Sequence, residues 1–410
     1  MIVDQHIVVV GAGLVGLSTA WHLQKRGAKV TVIDREGPAA GSSWGNAGWL
    51  SPALTVPLAE PSVLRFGLKS LVDDDSPLYM PLRPDSTLIR FGLGFARRST
   101  LRTWNATMQH YLPLSERALE AFDEIGADLD EGTTEAPIWA AFRSEADAAD
   151  LLREFDLIEK SGTDLRWEMV GGDAVRAARP VLSDEVNVGV RIDGQRFINP
   201  GRYCDALAKA VTDGGGELII DEVEGIRKVA KGVSVACSSA SVHADHVVIA
   251  TGAWLPRLAR EHKVRVPLVA GRGYSFRVDV DAEQVPGPFY LPGQRVACTP
   301  LDGGLRVAGT MEFRPVDAPL DEARVDALVR SVESLIDADL SVRHDTWVGG
   351  RPVTVDGLPL VGPTRTAGVW VAGGHGMWGV TLGPLTGRLI AEWMLEGRVD
   401  PALRPLDPLR

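Results

Sequence analysis

Cysteine is scarce in this chain: Cys204, Cys237 and Cys298 are the only three in 410 residues, far apart and odd in number. Without a CxxC pair they form neither a disulfide framework nor a zinc site, and the pattern suits a reducing cytoplasm. Blocks of Lys or Arg are missing too. Acids outnumber bases to a net charge of −11, so the background field repels nucleic acid, and an acidic substrate needs a local cation. No apolar run reaches the ~20 residues that cross a bilayer. The apolar N-terminus carries Asp4 where a signal peptide has its basic region, which argues against export. Repeats and low-complexity tracts are absent. What is present is 45% hydrophobic sequence, enough for a large core and too long for one ordinary domain.

The organising stretch is Ile7 to Asp34. An apolar strand, Ile7 to Val10, leads into Gly11-Ala12-Gly13-Leu14-Val15-Gly16, then a helix to Arg26-Gly27, a second apolar strand from Lys29, and Asp34. This is a complete dinucleotide-binding βαβ unit. Gly11 allows a tight turn, Gly13 lets the backbone approach a pyrophosphate, and Gly16 lets the helix pack on the sheet. The helix N-terminus offers N–H groups to phosphate, and Asp34 can accept from ribose hydroxyls. The unit alone does not distinguish FAD from NAD.

Next comes a loop of small residues, Gly41 to Pro52, with Trp44 and Trp49 among its glycines, as expected where backbone lies against a flat ligand. The stretch from Pro61 is irregular and proline-punctuated, ending in the mixed basic and apolar Leu88 to Arg98. Gly92 and Gly94 weaken a helix there and no clean apolar stripe forms, which favours a packed segment over a membrane-surface one. Helical spacing marks Leu112 to Ile125, Glu145 to Lys160 and Pro200 to Thr212. Strands are expected over Pro137–Arg143, Asn187–Asn199, Glu217–Val223, Gly232–Cys237 and His246–Ile249, the last running into Ala250-Thr251-Gly252-Ala253-Trp254, a second tight strand exit. Alternating strands at Gly273–Val280, Arg295–Thr299 and Leu305–Thr310 suggest a largely antiparallel inserted sheet. The final block has Gly350-Arg351-Pro352, a strand Val369–Ala372, the loop Gly373 to Gly379, and a helix from about Thr381 to Leu395 with Pro384 in its first turn and Gly397 as its stop. The expected fold class is α/β: a Rossmann-like nucleotide domain built from 1–59, 199–262 and 350–410, with an α+β substrate domain from 60–198 and 263–349.

Taken together, these motifs resemble the FAD-dependent D-amino-acid oxidase superfamily, and within it bacterial D-amino-acid dehydrogenases. The resemblance rests on the glycine motif with Asp34, Asn46-Ala47-Gly48 followed by Ser51-Pro52, Ser76-Pro77-Leu78, Ala250 to Trp254, Gly273-Tyr274-Ser275, Gly309-Thr310-Met311-Glu312, Gly350-Arg351-Pro352 with Asp356-Gly357, and Gly374-His375-Gly376. It implies that Gly11, Gly13, Leu14, Val15 and Gly16 face the FAD pyrophosphate and Asp34, with Arg35 beside it, the adenosine ribose. Ser42 and Ser43 would touch phosphate or ribityl oxygens at the head of Asn46, Ala47 and Gly48. Trp49 and Leu50 would lie near the flavin ring, and Val223 at the adenine. Thr251, Gly252 and Trp254 would meet the same cofactor. Gly374, His375, Gly376, Met377, Trp378, Gly379, Val380 and Thr381 would present backbone N–H groups to the flavin.

Arg351 matches the arginine that holds the substrate carboxylate, and a planar guanidinium suits that task through two parallel bonds; a structural salt bridge is the competing use. Tyr274 fits a carboxylate or ring contact, or a buried core tyrosine. His375 lies in a glycine-rich loop that favours backbone work over a base role. Relatives that attach FAD covalently carry a histidine after Ser-Thr-Trp; here Ser42-Ser43-Trp44 precedes Gly45, and no cysteine stands near Arg351, so non-covalent FAD is expected. The implied reaction is oxidative deamination of a D-amino acid, with hydride passing from Cα to flavin N5 and the product hydrolysing to a 2-oxo acid and ammonia. The alternatives are a secondary amine or imino acid such as glycine, sarcosine or hydroxyproline as substrate, a place as one subunit of a multi-component dehydrogenase, or a flavin-carrying binding or RNA-modification module, against which the low basicity argues. The expected partners are an amino-acid substrate and a quinone or partner subunit as electron acceptor, with no nucleic acid, in a cytoplasmic protein at most peripheral on the inner face of the membrane.

Overall fold

The computed structural model describes residues 5–59, 76–79 and 85–410. His6–Val10 pairs in parallel register with both Lys29–Asp34 and His246–Ile249. Its valines alternate between two cores, Val9 against the first helix and Val8 and Val10 on the opposite face, which is why the strand reads as an unbroken apolar run. The sheet continues to six strands in the order Glu217–Ile220, Lys29–Asp34, His6–Val10, His246–Ile249, Val369–Gly373, Leu360–Pro363, all parallel but the last. The first helix (Leu14–Lys25) and the C-terminal helix (Gly379–Glu396) pack side by side on one face.

A second, mainly antiparallel sheet contains nine strands among the described residues. Its backbone is a trio of long strands, Leu268–Asp279 flanked by Gly304–Phe313 and His344–Thr354. The fold is therefore the expected mixed α/β one. The strand His344–Thr354 runs through position 350, so Arg351 belongs to this sheet by hydrogen bonding, in register with Gly271.

Several local expectations are revised. Asn187–Asn199 is two strands, Val188–Ile192 and Arg196–Phe197, because Gly194 takes a positive φ of 75° and turns the chain between them. The final helix begins at Gly379, placing Pro384 in its second turn; the Trp378 indole, donating to the Val56 carbonyl at 2.7 Å, fixes the entry earlier. Leu88 to Arg98 lies within a helix, Ser86–Arg98, whose N-cap Asp85 accepts from the N–H groups of Thr87 and Leu88. Phe91 anchors it inward, while Ile89 and Leu93 remain 56% and 60% exposed. Most of the irregular stretch from Pro61 to residue 84 lies outside the described residues, as does Asp4. No helix among the described residues is long and apolar enough to cross a membrane.

Candidate active site

The glycine motif opens a cleft at the carboxyl ends of the parallel strands, where open α/β sheets place ligands. Gly11 has φ 114°, and a Cβ there would sit 2.5 Å from the Ala250 carbonyl, so the first strand and the Ala250 strand converge at this turn only because residue 11 has no side chain. The first helix then leaves the N–H groups of Val15 and Gly16 without intrahelical partners. Leu14 N–H is taken by Ser43 Oγ at 3.2 Å. Asp34 is held by three backbone donors, Ala12, Glu36 and Gly37, at 2.8, 2.9 and 3.0 Å. They fix the carboxylate on the cleft wall and leave part of its acceptor capacity open. Opposite stands Thr251, whose buried Oγ1 meets no partner among the described residues. An orphaned hydroxyl, a bare glycine turn and free helix N–H groups together fit a pyrophosphate-bearing cofactor.

Of the residues expected at the cofactor, Gly11, Gly13, Leu14, Val15, Asp34, Arg35, Ser42, Ser43, Asn46, Val223, Thr251, Gly252, Trp254, Arg351, His375, Gly376, Met377, Gly379 and Val380 line this cleft. Ala47, Trp49 and Trp378 line the adjoining cavity instead. Gly16, Gly48, Leu50, Gly374 and Thr381 line neither; Leu50 is fully buried, and the Thr381 hydroxyl donates to the Trp49 carbonyl at 3.3 Å. Sequence reasoning missed Glu36, Asp221, Glu222, Glu224 and Arg257, which also line the cleft. Asp221 to Glu224 follow the strand that pairs with Lys29–Asp34. Only that adjacency, invisible in a linear reading, brings them here.

The second cavity shares Ser42, Asn46, Arg351, His375, Gly376 and Met377 with the first. Two ties hold this junction. Ser42 Oγ donates to the Gly350 carbonyl, and Gly376 N–H donates to the Pro352 carbonyl at 3.0 Å. The rest of the wall is mostly apolar and aromatic, including Trp49, Leu54, Val56, Leu151, Ile192, Tyr290 and Trp347, with Glu154 and Arg295 as charged members. Trp49 is pinned by donating its indole N–H to Thr299 Oγ1 at 2.9 Å and meets Tyr290 edge to face at 5.7 Å.

Arg351 stands at the junction. Its Nη1 donates to the Thr310 carbonyl at 2.9 Å, and among the described residues no carboxylate pairs with it. The residue is partly accessible through the cavities yet deep in the protein, and desolvation pulls its guanidinium down to about 10. At neutral pH it is a charged, anion-seeking group in a mostly apolar chamber whose other charged members are Glu154 and Arg295. Tyr274 lines the same cavity with its ring, but its hydroxyl donates to Glu312 Oε2 at 2.7 Å. Burial, with that bond, pushes its phenol up. The carboxylate-contact option is thus occupied, leaving the ring contact. His375 Nε2 bonds Thr386 Oγ1 at 2.9 Å, and burial lowers the imidazole to about 4, keeping it neutral.

Gly45 lies beneath Trp347, and a Cβ at position 45 would overlap that indole. A cofactor-linking side chain has no space there. The three cysteines are free, and burial raises each thiol, Cys204 to about 12. No group of metal-ligating side chains is found among the described residues.

The family model described as FAD dependent oxidoreductase matches residues 6–393. A D-amino acid dehydrogenase of Cereibacter sphaeroides is 31% identical over 410 residues, covering 96% of this chain and 92% of that protein. Among solved structures, glycine oxidase from Geobacillus kaustophilus superposes with a TM-score of 0.74 at 22% identity, covering 99% of both chains. L-proline dehydrogenase from P. horikoshii gives a TM-score of 0.72 at 16% identity, covering 100% of this chain and 98% of the other.

Proposed function

From the premise that the chain belongs to the FAD dependent oxidoreductase family, we propose that it is an amino-acid dehydrogenase that oxidatively deaminates D-amino acids to 2-oxo acids and ammonia. The observation that carries this reading is Arg351, a desolvated cation with no carboxylate partner among the described residues, set where the cofactor cleft meets a mostly aromatic and apolar chamber. The D-amino acid dehydrogenase relative supports the substrate class.

In this reading the six-stranded unit holds FAD without a covalent link, and the nine-stranded sheet carries the substrate wall. Bound FAD supplies the two-electron acceptor for oxidation of the substrate's Cα–N bond. Arg351 binds the α-carboxylate with the N–H groups left over from Thr310, fixing the substrate at the junction, which is catalysis mainly by positioning. The Val15 N–H at the cleft would hold pyrophosphate, Asp34 the ribose, and Thr251 Oγ1 a further cofactor oxygen. The N-terminal end of the C-terminal helix, from Gly379, faces negative charge favourably. Trp49, Trp347 and Tyr290 exclude water and accept an apolar side chain. His375, made a weak base by burial and engaged with Thr386, is not required as one, because in a substrate whose amine is neutral the nitrogen lone pair drives hydride out. The imino acid then leaves and hydrolyses in water.

Electrons pass onward to a quinone or a partner subunit. The exposed Ile89 and Leu93, with exposed Leu101 and a local run of Arg90, Arg97, Arg98 and Arg102, support peripheral contact with an anionic surface. The test of the substrate class is release of 2-oxo acid and ammonia from a panel of D- and L-amino acids with a quinone analogue present. Reduction of the quinone analogue confined to sarcosine or proline would transfer the protein to secondary and imino acid oxidation, and confined to glycine would make it a glycine dehydrogenase.

A further inference from the structure

The strand Gly304–Phe313 does not pair evenly with Leu268–Asp279. Arg272 faces Glu312 and Tyr274 faces Gly309, so Thr310 and Met311 together stand opposite Gly273 alone. This is a β-bulge at the cavity wall, the kind of irregularity that re-aims groups beside a site. Thr310 has φ 59°. A β-branched residue is a true outlier in that region, and glycine would occupy it without strain. The threonine side chain carries a second cost, since its Oγ1 is enclosed and has no hydrogen-bond partner among the described residues.

Two unfavourable features at one residue call for a compensating use. The neighbours say what it is. The Thr310 carbonyl accepts from Arg351 Nη1 at 2.9 Å, and both residues line the second cavity. On the other side the guanidinium lies on the bare backbone of Gly273, where a Cβ would come within 2.5 Å of Cζ. One N–H of Arg351 is thus bound by residue 310 and one side of its plane is closed by residue 273. A carboxylate received by Arg351 is thereby kept off the side that Gly273 closes and enters the cavity that Thr310 also lines.

We propose that Thr310 is a substrate contact, its hydroxyl donating a hydrogen bond to the carboxylate that Arg351 binds. The proposal rests on the reading of Arg351 as the carboxylate anchor. Among the described residues the hydroxyl has no partner; a bound carboxylate supplies one, and the bulge that strains Thr310 puts carbonyl and hydroxyl to separate uses. The carbonyl orients the cation, and the hydroxyl adds a second, neutral donor to the anion. A substrate in which an uncharged amide replaces the carboxylate loses the guanidinium pairing and most of the benefit of this donor.

The experiment titrates FAD-loaded wild-type protein and variants with propionate, a carboxylate without an amine, followed through perturbation of the flavin absorption band. Thr310→Val keeps the branched shape and removes the hydroxyl; Thr310→Ala removes it with less bulk should valine disturb the strand; Thr310→Ser retains it. Loss of a hydrogen bond to a charged group predicts a dissociation constant raised about tenfold or more in Val and Ala, with Ser near wild type and thermal midpoint and FAD content unchanged. Wild-type affinity in Thr310→Val and Thr310→Ala, while Arg351→Ala binds propionate poorly, overturns the proposal and leaves the Arg351 reading intact. Unchanged affinity in Arg351→Ala overturns both.

Discussion

The Tyr274 hydroxyl donates to Glu312 Oε2 at 2.7 Å, and the same oxygen lies 3.2 Å from Arg272 Nη1 in a fully buried pair. Arg314 reaches the other Glu312 oxygen at 2.9 Å. One carboxylate thus serves two cations and a phenol behind the substrate wall. Tyr274→Phe is expected to leave the Michaelis constant essentially unchanged and to cost about 1–3 kcal/mol of stability, since it removes a buried bond and keeps the ring. Glu312→Gln leaves buried arginine charge uncompensated and should cost about 3–5 kcal/mol. Denaturant titration beside substrate kinetics checks both. A large rise in KM for Tyr274→Phe with unchanged stability would show that the hydroxyl reaches substrate after all.

Arg351→Ala should lower kcat/KM by about two orders of magnitude or more, the scale for truncating one side of a desolvated charge pair. FAD content should stay near wild type, because the other cleft contacts remain. Lysine keeps charge without the planar fork and should recover only part of the loss. Steady-state kinetics on one amino acid, with flavin content measured in parallel, decides the matter.

Two buried histidines give stability a pH dependence of definite sign. His375 is lowered to about 4 and His22 to about 3, both first by burial. The unfolded chain, with histidine near 6.5, therefore binds more protons below that pH than the folded one. Their contribution is complete above about 6.5 and drains away as pH falls toward 4 for His375 and 3 for His22. Thermal midpoints across this range should decline toward acid, and His22→Phe should flatten the decline. The rate, by contrast, should show no step belonging to a protein histidine.

Non-covalent FAD follows from Gly45 under Trp347 and from the absence of a cysteine at Arg351. Acid precipitation should leave the yellow colour in the supernatant. Gly45→Ala should disturb the Trp347 wall and weaken substrate binding before it affects folding, a separation that KM and thermal midpoint will display together.

For the helix Ser86–Arg98, pelleting with vesicles should show tighter association with anionic than with neutral lipid, reduced by Ile89→Ser with Leu93→Ser. Equal binding to both lipids would remove the surface reading.

The nucleotide unit was legible because its information is local. Gly11, Gly13 and Asp34 sit within one βαβ hairpin whose geometry follows from glycine placement and apolar alternation. The role proposed for Arg351 comes from the resemblance, since nothing in Gly-Arg-Pro states that the side chain will lack a carboxylate partner among the described residues. Glu222 could not be read, because it reaches the cleft through strand order in the sheet. The fate of Tyr274 depended on Glu312, 38 residues away along the chain, and the strain at Thr310 on a one-residue mismatch between paired strands. Periodicity carries no record of either. The helix at Ser86 was underrated for a different reason. Gly94 weakens it locally, yet that glycine lies on Val355 and permits close packing, a tertiary gain that outweighs propensity.

The most direct test of the central claim is an anaerobic titration of the purified flavoprotein with D-amino acids, their L enantiomers, glycine, sarcosine and both prolines. The account predicts bleaching of the flavin band by a set of D-amino acids bearing apolar side chains, with recovery faster on adding a quinone than on admitting air. Bleaching by secondary amines alone, or by none of these compounds in protein that holds its full complement of FAD, would contradict it.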